Sequence, residues 1–220
     1  MARIARVVAP GYPHHIIQRG NRRQRTFFCE EDYAVYLDLM REWCAKRAVE
    51  IWGYCIMPNH VHLIAVPREA PDLCRAMGEA HRRYTRHINF REGWRGYLWQ
   101  GRFSSFVMDE PHLIAAVRYA ELNPVRAGLA GKAWDYPWSS AAAHLSGADD
   151  RLVSVAPLKE IIGDWKRYLE EPLSEAEVER FRKASSTGRP LGDEQFVTGL
   201  ERQLLRPLHR RKPGPKVHGN

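Results

Sequence analysis

The chain offers neither a disulfide framework nor a zinc knuckle: its four cysteines, Cys29, Cys44, Cys55 and Cys74, are irregularly spaced and contain no Cys-x-x-Cys pair. They read as free thiols of a reducing compartment. No apolar run is long enough to span a bilayer, and the opening Met1-Ala2-Arg3-Ile4-Ala5-Arg6 lacks the apolar core of a signal peptide. The expectation is a cytoplasmic protein, associated with the nucleoid if its partner is DNA. Internal repeats are missing as well. Acidic residues are absent beyond Glu201, while Arg202, Arg206, Arg210, Arg211, Lys212 and Lys216 continue to the end. The stretch His209-Arg210-Arg211-Lys212-Pro213-Gly214-Pro215-Lys216 is too rich in proline, glycine and charge to bury itself, and is expected to be disordered when free. It reads either as a solvated tail or as an arm for phosphates or a minor groove.

What is present is a chain of 220 residues, enough for one domain of ordinary size and a smaller appendage. A net charge of +8 and a pI near 9.5 point to an anionic partner, most economically nucleic acid. The positive charge is clustered, with Arg19, Arg22, Arg23 and Arg25 in one segment and Arg82, Arg83 and Arg86 in another. Solvated helix faces carry such runs too, so clustering supports the reading without establishing it.

Periodicity gives the order of elements. Residues 14 to 19 read as a strand, followed by an arginine-rich loop. Residues 30 to 47 carry a helical apolar stripe of Tyr33, Leu37, Met40 and Cys44, opened by Glu30, Glu31 and Asp32. Residues 50 to 57 and 60 to 66 form two strands joined through Pro58-Asn59 as an antiparallel hairpin. A helix from 72 to about 89 buries Leu73, Met77, Ala80, Tyr84 and Ile88, a strand covers 103 to 108, and a helix runs from 110 to 122. The order β-α-β-β-α-β-α predicts an α+β fold of the ferredoxin-like (RRM-like) kind, an antiparallel sheet with helices packed on one face. Residues 1–131 form the expected principal domain, 132–205 a mostly helical extension and 206–220 the basic tail. In the extension Trp134, Tyr136 and Trp138 are expected to cover the domain, a short helix falls within 152–169, and Ser174 with Glu177 forms a capping box that starts a helix to about Ala184. Residues 185–192 read as a linker and 193–205 as a last helix.

Two stretches carry chemistry. In Met57-Pro58-Asn59-His60-Val61-His62 the two histidines stand two apart on a strand and so share a face, which makes half of a metal site. Taken alone this is a weak signal. In Tyr119-Ala120-Glu121-Leu122-Asn123 a spacing of four sets a phenol and an amide side by side on one helix face, beside the core stripe of Leu113, Ile114, Val117 and Ala120. Each has a bland reading, as a packed aromatic and as a helix stop before Pro124. His14, His15, His81, His87, His112 and His144 lack a comparable context and read as surface or core histidines.

Taken in order, these motifs resemble the single-tyrosine HUH transposases, and within them the REP-associated tyrosine transposases (RAYT). The resemblance extends to Pro10-Gly11-Tyr12-Pro13-His14-His15-Ile16-Ile17-Gln18-Arg19-Gly20-Asn21, Leu98-Trp99-Gln100-Gly101-Arg102-Phe103, Pro124-Val125-Arg126-Ala127-Gly128 and Tyr136-Pro137-Trp138-Ser139-Ser140, about two-thirds of the chain. It implies a metal-dependent transesterase that cleaves and rejoins single-stranded DNA at hairpins formed by REP-like palindromes. Tyr119 is the implied nucleophile, held afterwards as a 5′-phosphotyrosine. His60, His62 and Asn123 are the implied ligands of Mg²⁺ or Mn²⁺, the two imidazoles neutral and the amide giving its oxygen. Other branches have Gln where Asn123 stands, and Pro124 sets Asn123 at a frayed helix end. Arg19, Arg22, Arg23, Arg102, Arg210, Arg211, Lys212 and Lys216 are candidates for DNA contact. Homodimer and monomer both fit the sequence. The competing readings are a domesticated relative that binds hairpins without cutting them, and an RNA-binding ferredoxin-like sheet. The second should show aromatic residues on the central strand where His60-Val61-His62 stands.

Overall fold

A computed structural model describes residues 4–209, so Arg210, Arg211, Lys212 and Lys216 lie outside the described residues. Strand β1 (His14–Arg19), helix α1 (Glu30–Lys46), β2 (Val49–Met57), β3 (His60–Pro67), α2 (Ala70–Glu92), β4 (Ser104–Val107) and α3 (Glu110–Glu121) follow in the expected order. The sheet runs β2-β3-β1-β4 with each neighbouring pair antiparallel, the ferredoxin-like arrangement. Among the described residues no helix is long and apolar enough to cross a membrane.

Helix α1 begins where Asp32 reaches back to the Phe28 and Cys29 amides, and its three acids complement the helix dipole. Asp32 is buried and paired with Arg91, which ties the start of α1 to the end of α2. Alternation along β3 then divides the molecule. Val61, Leu63 and Ala65 enter a core with Tyr36, Leu37 and Met40 of α1 and Leu73, Met77 and Tyr84 of α2. Ile64 points the other way, into a second core with Phe106 and with Leu113, Ala116 and Val117 of α3. Helices α1 and α2 thus share one face as expected, and α3 lies across the opposite face, the one that carries His60 and His62.

Beyond α3 come α4 (Asn123–Arg126), α5 (Ala141–Ser146), α6 (Ala156–Lys159), α7 (Trp165–Glu170), α8 (Glu175–Thr187) and α9 (Glu194–Leu204). This extension closes both sheet edges. The Ile56 amide donates to the Trp138 carbonyl at 2.8 Å outside β2, and the Leu191 amide to the Val107 carbonyl at 2.9 Å outside β4. Tyr136 is buried with its hydroxyl on the Ile56 carbonyl, and Trp138 stacks on Tyr33 at 4.7 Å, so these aromatics cover the domain. The Ser174–Glu177 capping box forms as read. Helix α8, however, runs on to Thr187 and stops at Gly188 (φ 70), so Ser185 and Ser186 belong to its last turn and not to a linker. Val178, Phe181 and Ala184 of α8 share a core with Ile64 and Phe106, joining the extension to the sheet.

The end of β1 is held by a close approach. Gly20 donates to the Asn59 carbonyl at 2.8 Å, and Asn21 to that of Leu98 at 2.8 Å. A Cβ on Gly20 would meet the Gln24 carbonyl oxygen at 2.3 Å and the Thr26 methyl at 2.7 Å, while one on Gly78, inside α2, would meet nothing within 4 Å. Gly20→Ala should therefore lower stability by about 1–3 kcal/mol, and Gly78→Ala should raise it by about 0.5–1 kcal/mol. Urea unfolding of the two variants beside the parent checks both signs.

Candidate active site

Pairing of β1 with β3 sets Ile17 opposite His62 and Arg19 opposite His60. The face under α3 therefore carries His15, Ile17 and Arg19 from one strand and His60, His62 and Ile64 from the next. The imidazole centroids of His60 and His62 are 5.0 Å apart, and that of His62 is 5.5 Å from the Tyr119 ring. Both expected motifs therefore meet within one chain.

The hydrogen bonds of His60 settle its tautomer. Asn59 Nδ2 donates to the Arg23 carbonyl, which leaves Asn59 Oδ1 to accept from His60 Nδ1 at 2.6 Å. The lone pair of His60 is then on Nε2. His62 Nδ1 lies 2.9 Å from His15 Nε2, and if it donates there its own Nε2 lone pair is free in the same way. Burial holds His60 down to about 4, with Arg19 adding to the effect. Burial, then the charges of His60, His15, Arg19 and Arg126, drives His62 well below its ordinary value. Both rings are neutral near pH 7, as ligation requires.

Tyr119 is 8% exposed, more enclosed than its place beside the core stripe implies. Phe181 of α8 lies 5.1 Å from its ring and the Arg126 guanidinium 5.1 Å above it. Four residues on, the Asn-Pro step stops α3 as expected. The chain does not fray there: Leu122 stays helical and α4 starts at once, with the Ala127 amide donating to the Asn123 carbonyl at 3.0 Å. The Asn123 amide nitrogen is buried without a hydrogen-bond partner, and the side chain lines the cleft. Among the described residues no three His, Cys, Asp or Glu side chains gather as a metal site. A cation here would rest on two imidazoles and the Asn123 amide oxygen, a donor set that the neutral rings fit, whereas the unsatisfied Asn123 atom is its NH2, a donor suited to an acceptor such as a phosphate oxygen.

Tyr119, His60, His62 and Asn123 open onto one cleft of about 870 Å³. Arg19, Arg23 and Arg102, three of the candidates for DNA contact, line it, and among the described residues no carboxylate does. Burial, then the charge of Arg23, lowers the Arg19 pKa from its ordinary value. Arg22 stands outside: a 3-10 turn with left-handed backbone at Arg22 (φ 53) and Arg23 (φ 61) brings Arg23 to the cleft and leaves Arg22 exposed. The sequence reading missed His15, Arg126, Arg182, Ser185 and Ser186. His15 shares the period-two face of Arg19, a signal that needs the strand pairing to be useful. Arg126 stands within the motif that follows Asn123. Arg182 and the two serines come from α8, and nothing local marks them.

A phenol, two neutral imidazoles and a set of guanidinium groups thus converge on one face of an antiparallel sheet. The chain belongs to the IS200-like transposase family, whose model matches residues 10–123, just over half of its length. It is 29% identical over 90 residues to the ISDra2 transposase TnpA of Deinococcus radiodurans, an alignment that takes in 38% of this chain and 64% of that protein. Its fold matches the solved structure of a REP-associated tyrosine transposase bound to a REP hairpin, with a TM-score of 0.58 and 20% identity over 70% of this chain and 92% of that one.

Buried neutral histidines give stability a definite pH dependence. Burial lowers His14 to about 4 and His15 and His81 to about 3, so below pH 6.5 the unfolded chain takes up protons that the folded chain refuses. Stability should be level above pH 7 and should fall from pH 6.5 toward 4, by up to about 1.4 kcal/mol per pH unit for each such group. Urea midpoints at pH 8 and pH 5 that coincide would contradict neutral burial of these rings.

Proposed function

We propose that the protein is a single-strand DNA transesterase that cleaves and rejoins strands at REP-like palindromic hairpins through a 5′-phosphotyrosine at Tyr119. The observation that carries this is the convergence of Tyr119, His60, His62 and Asn123 on one arginine-lined cleft. The hairpin bound by the structural relative supports the substrate class.

The phenol oxygen of Tyr119 attacks the phosphorus as the bond to the 3′ oxygen breaks. Tyrosine gives up a proton and the departing 3′ oxygen gains one. The number of phosphoester bonds is unchanged, so the reverse attack by the 3′-hydroxyl reseals a strand without an external energy source. Arg19, Arg23, Arg102, Arg126 and Arg182 line the path of the phosphates and offset charge on the phosphoryl oxygens. His60 Nε2, His62 Nε2 and the Asn123 amide oxygen are the groups that would hold Mg²⁺ or Mn²⁺. When bound, such an ion polarises the scissile phosphate and leaves positions for its oxygens. We place its action on chromosomal DNA in the cytoplasm. A hairpin binder that does not cut would leave a tyrosine beside two ligand-ready imidazoles without use.

The full chain, incubated with a labelled single-stranded hairpin from repeats beside its own gene, should give a slow-migrating adduct on a denaturing gel in Mg²⁺ or Mn²⁺ and none with chelator. Tyr119→Phe should abolish the adduct, a loss of about 10³-fold or more. Asn123→Ala should slow its formation by about 10- to 100-fold, with partial recovery at high metal concentration. Tight binding with neither adduct nor cleavage would favour the non-cutting reading.

A further inference from the structure

We infer that a groove leading from the active cleft to the end of α2 is a second binding site, for unpaired DNA whose bases stack on Phe90, Trp94 and Tyr97. Three observations converge on it, and it rests on the reading of the cleft as a DNA site.

The first is continuity. Gln18 and Arg102 line both the active cleft and a neighbouring groove of about 410 Å³ walled by Trp99 and Tyr97. Arg82 and Thr85 line both that groove and a shallower one walled by Phe90 and Trp94. The three concavities form one path along the surface of a single chain.

The second is charge. No carboxylate lines any part of the path, whereas the depressions elsewhere on the surface include Glu170 and Glu171 in one case and Asp164 in another. Arg82 is engaged by Glu79, 2.6 Å away, and Arg6 donates to the Phe103 carbonyl at 2.6 Å, so neither is fully available. Arg86, Arg95 and Arg102 form no ion pair among the described residues and are the cations left for a phosphate backbone.

The third is the aromatic content. Phe90 is 90% exposed, Tyr97 87% and Trp94 45%; among the other described Phe, Tyr and Trp rings only Tyr12, at 37%, is exposed. Their backbone is held in place: Gly93 ends α2 in the left-handed region (φ 67), and Asn89 Nδ2 donates to the Gly96 carbonyl at 3.0 Å. Exposed rings on the last turn of α2 and the anchored loop after it, interleaved with unpaired arginines, match the surface that unpaired bases need, since every base has a face to stack and every phosphate a charge to place. Duplex DNA keeps its faces stacked internally and would gain nothing from these rings.

The test uses the full chain in chelator, so that nothing is cut, and measures fluorescence anisotropy with three probes: a blunt DNA hairpin, the same hairpin carrying an oligo-dT overhang at either end in turn, and the overhang made duplex. The single-stranded overhang should tighten binding, and Phe90→Ala, Trp94→Ala or Tyr97→Ala should each weaken that probe about 5-fold or more while leaving the blunt hairpin within about two-fold. Because these side chains are at the surface, circular dichroism of each variant should match the parent. Arg86→Ala should lower the slope of log affinity against log salt by about 0.7 for the overhang probe. An overhang that adds nothing, or adds as much when duplex, overturns the inference and leaves the cleft reading intact. Failure of every probe to bind overturns both.

Discussion

The pairing of β1 with β3 is the constraint on which the site depends. Because side chains alternate along a strand, the register that sets Ile17 opposite His62 decides at once which face receives His15, Arg19, His60 and His62 and which receives Ile16, Val61 and Leu63. A slip by one residue would turn the imidazoles toward α1 and α2 and carry Val61 into the cleft. The register is secured from both sides, by apolar residues that fit only under the two helices and by the Gly20 junction, where the end of β1, the β2–β3 turn and the chain before β4 are hydrogen-bonded together.

Burial then supplies the chemistry. An imidazole in water is partly protonated near neutrality and is a poor ligand in that form; enclosed by the sheet, α3 and α8, and with arginines and, among the described residues, no carboxylate in the cleft, His62 is held neutral. The enclosure is built by the extension. Arg118 bonds to both Glu171 and Glu177, which draws the start of α8 onto α3. The wholly buried Glu121 accepts from Ser140 at 2.5 Å, lies 2.6 Å from His144 and takes the Trp165 indole at 3.2 Å, so α3, α5 and α7 are knotted at the residue between Tyr119 and Asn123. From the extension, α8 supplies the outer wall of the cleft through Phe181, Arg182, Ser185 and Ser186, and its Val178, Phe181 and Ala184 pack against the sheet.

This explains what the sequence could and could not show. Strands and helices with strong periodicity were legible, because β3 and α2 carry their partition between buried and exposed sides in every second or every third to fourth residue. His60, His62, Tyr119 and Asn123 were legible because each pair is local, two or four residues apart on one element. His15 was not, since its meaning lies in a neighbour 47 positions away. Arg182, Ser185 and Ser186 were hidden for a stronger reason: the tail of α8 looks like a serine-rich linker until the capping box at Ser174 and the stop at Gly188 are seen to enclose one helix. Arg22 and Arg23 show the limit of charge clustering, for two adjacent arginines part company once left-handed backbone intervenes.

The distribution of carboxylates gives the net charge its direction. Asp32 is paired with Arg91, Glu79 with Arg82 and Glu177 with Arg118, each away from the cleft. Four cations, Arg19, Arg23, Arg102 and Arg126, are therefore left to surround the cleft without an ion pair among the described residues. Gathering like charges in a partly buried site costs stability, and burial, then the charge of Arg23, lowers the Arg19 pKa in the same sense. That cost is relieved when a polyanion enters and neutralises the groups together, so the same arrangement that strains the free protein favours binding. Because the relief scales with the number of phosphates that can reach the arginines, an extended single strand laid along the cleft gains more from it than a compact anion of equal charge.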